Sequence, residues 1–124
     1  MKILLVEDEG LVALYLKRVL IEHGFKEITV ARNGEEAVIK VNELHPDLLL
    51  MDIRLGHGIN GIEAVRQINS TKSIPVIYIT ASTDQQTHNE AIDTNPLAIL
   101  SKPIEPDELN EMIDSYFDGT QILY

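Results

Sequence analysis

Ile3-Leu4-Leu5-Val6-Glu7-Asp8-Glu9, almost at the start of the chain, is the most informative run: four consecutive apolar residues lead straight into three acids. A strand that is apolar at every position is covered on both faces, as in a parallel sheet with helices on each side. The pattern recurs at Leu48-Leu49-Leu50-Met51, which runs into Asp52, and at Val76-Ile77-Tyr78-Ile79, which runs into Thr80. Ile28-Thr29-Val30-Ala31 and Ala98-Ile99-Leu100 are weaker strand candidates, the last leading into Ser101-Lys102-Pro103.

Segments of helical period fill the gaps. Val12, Tyr15, Leu16 and Val19 fall at i, i+3, i+4 and i+7 and are expected to face inward. Asn33 with Glu36, and Asn60 with Glu63, read as N-caps with an acid three residues on. Val38, Val41 and Leu44 should point inward from the first of these helices, and Ile62, Val65 and Ile68 from the second. Pro106 suits the first turn of a last helix that turns Leu109, Met112, Ile113 and Tyr116 inward. The segment Asp84 to Asp93 is the poorest helix, with Ala91 and Ile92 as its apolar anchors. Strands and helices in strict alternation predict an α/β, doubly wound parallel sheet of five strands flanked by five helices. Ligands of such folds sit beyond the C-terminal ends of the strands, at the switch point of strand order.

The chain has 124 residues and no cysteine. It is therefore read as one domain over residues 1–124, without disulfides or thiolate chemistry. The net charge of −10 opposes sequence-independent binding to nucleic acid, which needs a basic footprint. No apolar run is long enough for a membrane span, so the expected location is the cytoplasm.

The expected strand ends carry Glu7-Asp8, Asp52, Thr80 and Lys102. Carboxylates gathered in one crevice suit Mg²⁺, a hard cation that keeps several waters. A carboxylate beside the metal can attack phosphorus. Charge on the phosphoryl oxygens then needs a cation and a hydrogen-bond donor, which Lys102 and Thr80 would supply. Taken singly, each has a duller reading: Glu7 and Asp8 as first-turn acids of a helix, Asp52 as a turn cap, Thr80 as a strand residue. Their meeting at one edge of one sheet favours the joint reading.

The ordered set Ile3–Glu9, Leu49-Leu50-Met51-Asp52, Ile79-Thr80-Ala81 and Lys102-Pro103 resembles the response-regulator receivers of two-component signalling, across essentially the whole chain. The resemblance implies a flavodoxin-like sheet in the order 2-1-3-4-5. It implies that Asp52 accepts a phosphoryl group from a histidine kinase or a histidine phosphotransfer protein, and that the protein then changes shape to signal to a further partner. It also implies Mg²⁺ held by Asp8, Asp52 and the backbone carbonyl of Arg54, with Glu7 acting through water. Thr80 would be the switch hydroxyl and Lys102 the cation on the phosphoryl group. Such a protein assists its own phosphorylation but turns over no external substrate, and is expected as a monomer or weak dimer.

Three positions depart from the family pattern. Ile99 stands where an aromatic switch residue is common, Gly56 where proline is common, and the loop from Asp52 to Asn60-Gly61 is one residue longer. That loop resembles those of receivers found beside multi-domain sensor kinases. Gly56-His57-Gly58-Ile59-Asn60-Gly61 also spells a dinucleotide fingerprint, but its glycines come too late after the strand for the tight turn that motif needs. An aspartate-nucleophile phosphatase would need a second acid two residues after Asp52, where Arg54 stands. A degenerate receiver serving only as a scaffold would not need the full residue set. His23, His45, His57 and His88 lack metal-ligand spacing and are expected at the surface. Met1 directly before the first strand suggests a natural start, and the last helix should end near Phe117-Asp118-Gly119 with no output domain after it.

Overall fold

The computed structural model describes residues 1–81 and 84–117. Residues 82–83 of the loop after Thr80, and the expected close of the chain from Asp118 onward, lie outside the described residues. The elements alternate strictly: β1 (Lys2–Val6), α1 (Gly10–His23), β2 (Glu27–Ala31), α2 (Gly34–Leu44), β3 (Leu48–Met51), α3 (Gly61–Asn69), β4 (Val76–Thr80), α4 (Gln85–Ile92), β5 (Ala98–Ser101) and α5 (Pro106–Tyr116). All strand pairs are parallel, in the order β2-β1-β3-β4-β5. This is the expected doubly wound sheet, and its switch point lies between β1 and β3.

The continuous apolar strands are explained by two cores. Ile3 and Leu5, Leu48 and Leu50, and Ile77 and Ile79 face α1 and α5. Their neighbours Leu4 and Val6, Leu49 and Met51, and Val76 and Tyr78 face the other way, toward α2, α3 and α4. Side chains alternate across a strand, so a sheet covered twice needs apolar residues at every position. Each buried Leu or Ile contributes about 1.5–3 kcal/mol relative to exposure.

Both expected caps are present: Asn33 Oδ1 accepts from Glu36 N at 2.8 Å, and Asn60 Oδ1 from Glu63 N at 2.9 Å. The inward face of α3 is as expected, with Ile62, Val65 and Ile68 all buried. Other faces need correction. On α1 the buried stripe is Ala13, Leu16, Val19 and Leu20, while Val12 is half-buried and Tyr15 exposed. Tyr15 lies outward with its hydroxyl donating to the Ile104 carbonyl at 3.1 Å, a polar partner it would lose if turned into the core. Tyr116 behaves alike on α5, donating to the Leu97 carbonyl at 2.6 Å, and Met112 is only partly covered. On α2, Val38 and Leu44 are half-buried around the buried Ala37 and Val41.

Helix α4 is as poorly anchored as its sequence suggests, and of its two apolar anchors only Ala91 is buried, with Ile92 50% exposed. Much of its attachment is polar. The hydroxyl of the fully buried Tyr78 bonds Thr94 Oγ1 at 2.7 Å, just past the end of α4, and Thr94 Oγ1 reaches the Ala91 carbonyl at 2.7 Å. Burial pushes the Tyr78 hydroxyl above its ordinary pKa, partly offset by the bond to Thr94.

Candidate functional site

Backbone pairing continues one residue past three strands and thereby assembles the site. Glu7 N donates to the Ala31 carbonyl at 3.0 Å, Asp52 N to the Val6 carbonyl at 3.0 Å, and Lys102 N to the Thr80 carbonyl at 2.8 Å. Each ladder thus delivers its polar residue to the same edge, across the switch point. Neither Glu7 nor Asp8 serves as a helix cap, because α1 begins at Gly10 behind Glu9. Glu7 Oε2 instead accepts from Glu9 N at 3.1 Å.

Glu7, Asp8 and Asp52 each offer a carboxylate oxygen, all within 4.8 Å of one another. Lys102 Nζ sits between two of them, 2.7 Å from Glu7 Oε1 and 3.0 Å from Asp52 Oδ2. The other Asp52 oxygen accepts from Arg54 N at 3.1 Å, so the turn-capping reading of Asp52 is met within the site itself. Among the described residues the buried polar or charged side chains are Glu7, Asp52 and Thr80. Buried charge is costly unless paired, and these three lie at one edge of the sheet. Thr80 Oγ1 is buried with no hydrogen-bond partner among the described residues.

Three carboxylates against one ammonium leave a formal surplus of two negative charges. Burial pushes the Glu7 carboxyl above its ordinary value, with the nearby Asp52 charge acting in the same direction against the bond from Lys102. Burial alone would lower the Lys102 ammonium, but the bonds to Glu7 and Asp52 outweigh it and the net shift is upward. Hard oxygen donors with two charges uncompensated fit a divalent cation such as Mg²⁺.

The sequence reading missed three groups around this cluster. Gly56 N donates to Asp8 Oδ2 at 3.1 Å, Arg32 Nη2 donates to the Asp8 carbonyl at 3.2 Å, and Glu35 Oε2 accepts from Ile59 N at 3.2 Å. Arg32 directly follows β2 and could have been found by extending the strand-end search to that strand. The glycine-rich stretch is open loop, since β3 ends at Met51 and α3 begins at Gly61. Gly61 permits a close approach: a Cβ there would overlap the Asp52 carbonyl. His57 is exposed in this loop, and Ile99 is half-buried against the core beneath α4. A cleft of about 390 Å³ beside the loop is lined by Ile53, Arg54, Leu55, Asn60, Asp84 and Thr87.

The fold and this edge of the sheet define a signal receiver, and the family of response regulator receiver domains matches residues 3–114. The chain belongs to that family. It is 33% identical over 114 residues to the transcriptional regulatory protein PdtaR of Mycobacterium tuberculosis, covering 91% of this chain and 55% of that protein. It is 35% identical over 113 residues to the phyllosphere-induced regulator PhyR of Methylorubrum extorquens, covering 90% and 42%. The chain thus spans about half the length of these curated relatives. Among solved structures, the signal receiver domain of a modulated diguanylate cyclase from Desulfovibrio desulfuricans superposes with a TM-score of 0.85 at 36% identity, covering 92% of this chain and 90% of that one. A chemotaxis protein of Vibrio cholerae shares the fold at a TM-score of 0.83 and 23% identity, covering 92% and 96%. Among the described residues no helix is long and apolar enough to cross a membrane.

Proposed function

We propose that Asp52 accepts a phosphoryl group from a histidine kinase or a histidine phosphotransfer protein, and that the resulting change of shape is read by a partner protein in the cytoplasm. The observation that carries this reading is the burial of Glu7, Asp52 and Thr80 together at the switch point, with Lys102 between the two acids. A protein does not bury these groups for stability alone.

One Asp52 carboxylate oxygen attacks phosphorus. The P–N bond of the donor phosphohistidine breaks, and the imidazole nitrogen leaves with its electron pair and takes a proton from solvent. Asp8, Asp52, the Arg54 carbonyl and, through water, Glu7 would hold Mg²⁺, and the metal would supply charge stabilisation for the phosphoryl oxygens. Lys102 is already at hydrogen-bond distance from Asp52, so its ammonium is placed to follow the new phosphoryl oxygens. Thr80 brings an unused donor to the same edge. Exposed Leu11 and Tyr15 border a groove of about 430 Å³ that reaches Lys102, an apolar surface suited to a protein donor. The protein assists this transfer on itself and turns over no external substrate.

The test is to incubate the protein with a small acyl phosphate, with and without Mg²⁺, and weigh it intact. A gain of one phosphoryl group that requires Mg²⁺, is labile to base and disappears in Asp52→Asn supports the reading. Equal labelling of Asp52→Asn refutes it.

A further inference from the structure

The hydrogen bonds of Asp8 lead away from the acids, across the β3–α3 loop, to the first turn of α2. Gly56 N holds Asp8 Oδ2 at 3.1 Å. Three residues on, Ile59 N donates to Glu35 Oε2 at 3.2 Å. Between them Gly58 has φ +74°, and a Cβ there would overlap the Glu35 carboxylate. A Cβ on Gly34 would in turn meet the Ile59 side chain at 2.6 Å. Loop and helix therefore approach closely at both glycines, and the positive φ of Gly58 adds strain for any side chain there. From the same end of α2, Arg32 N donates to Glu36 Oε2 at 3.4 Å while its guanidinium holds the Asp8 carbonyl at 3.2 Å.

We propose that Glu35 is a positioning residue for Asp8: by pinning the loop at Gly58 and Ile59 it keeps the Gly56 N–H on the Asp8 carboxylate, and so sets the affinity of the site for a divalent cation. The inference rests on the reading of Asp8 as a metal ligand. A donor fixed on one carboxylate oxygen removes rotational freedom from the side chain and leaves the lone pairs of the other oxygen for a cation. The device needs a backbone N–H at position 56, which proline could not give, and a Cβ there would crowd Asp8 Oδ2 at 3.0 Å. It also accounts for the glycines of the loop, which a flexible linker would not need at these particular positions.

The experiment is a Mg²⁺ titration of the full chain, followed through backbone amide shifts, with amide exchange at Gly56 and Ile59 measured before metal is added. Glu35→Ala should weaken Mg²⁺ about 10-fold, in the range typical of groups that orient metal ligands, and should speed exchange at both amides. Glu35→Gln loses the same charge but keeps an acceptor oxygen, and should restore affinity and protection. Gly58→Ala attacks the same contact from the loop side and should weaken Mg²⁺ about as much as Glu35→Ala does, so either variant that folds tests the contact. Unchanged affinity in Glu35→Ala and Gly58→Ala overturns the proposal. So does a Glu35→Gln variant as weak as Glu35→Ala, since charge alone would then explain the effect. Asp8→Asn separates the two levels: if it binds Mg²⁺ like the wild type, the metal reading itself fails and the inference falls with it.

Discussion

Thr80 Oγ1 is buried at the end of β4 without a hydrogen-bond partner among the described residues, an arrangement that costs about 1–3 kcal/mol in most proteins. Replacing it by the isosteric valine should therefore stabilise the resting protein by up to about 1 kcal/mol. Thr80→Val should still gain mass from an acyl phosphate but lose the conformational response to it. A thermal midpoint that falls by several degrees would show that the hydroxyl has a structural partner after all. Asp8→Asn relieves the surplus charge and should raise metal-free stability by about 1 kcal/mol, while removing most of the rise in midpoint that Mg²⁺ gives the wild type. Lys102 works in the opposite direction. Its loss leaves the buried Glu7 and Asp52 without their cation, so Lys102→Ala should cost about 2 kcal/mol in chelator. Added Mg²⁺ should recover most of that loss, which denaturant titrations with and without the metal will read.

At the scale of elements, α4 is held by a single buried apolar side chain, Ala91. Asp84 caps it, Oδ1 accepting from Thr87 N at 2.7 Å, and that bond is the main cause holding the Asp84 carboxyl below its ordinary value of 3.8. A carboxyl depressed in the folded state stabilises above its unfolded pKa, and that contribution fades as pH falls through the folded one. The first turn of α4 should thus loosen below about pH 3.8, seen as a shift of the Thr87 amide, while Asp84→Asn keeps a cap and loses the pH dependence. The caps of α2 and α3 are legible in the sequence because Asn followed by Glu three residues later is a local signal. The buried face of α1 is less so. Tyr15 counts as apolar in a periodic pattern, yet its hydroxyl draws it to the surface. Gly56 and Glu35 escape a reading of the site because their roles depend on the path of a loop, and a backbone N–H leaves no trace in residue type.

For the molecule as a whole, the strand ends suffice to identify the site, since the alternation of elements brings Glu7, Asp52 and Lys102 to one edge once the sheet order is given. Ile99, half-buried and lacking a ring, has neither the bulk nor the polarity to act as a swinging aromatic, so the response should centre on α4. A non-covalent phosphoryl mimic with Mg²⁺ should change amide exchange chiefly in Gln85–Ile92 and leave β1, β3 and β4 protected, and Ile99→Val should alter this little. A rearrangement centred on β5 and abolished by Ile99→Val would assign the switch to that strand. The attachment of Tyr78 to Thr94 gives this motion an optical consequence. The protein has no tryptophan, so tyrosine emission is not drained to an indole, and among the described tyrosines Tyr78 alone is buried. Its phenol is tethered to the trailing end of α4, and any displacement there must stretch or release that bond. The chain thus carries its own fluorophore at the pivot, and emission from unlabelled protein should follow its signalling state in real time.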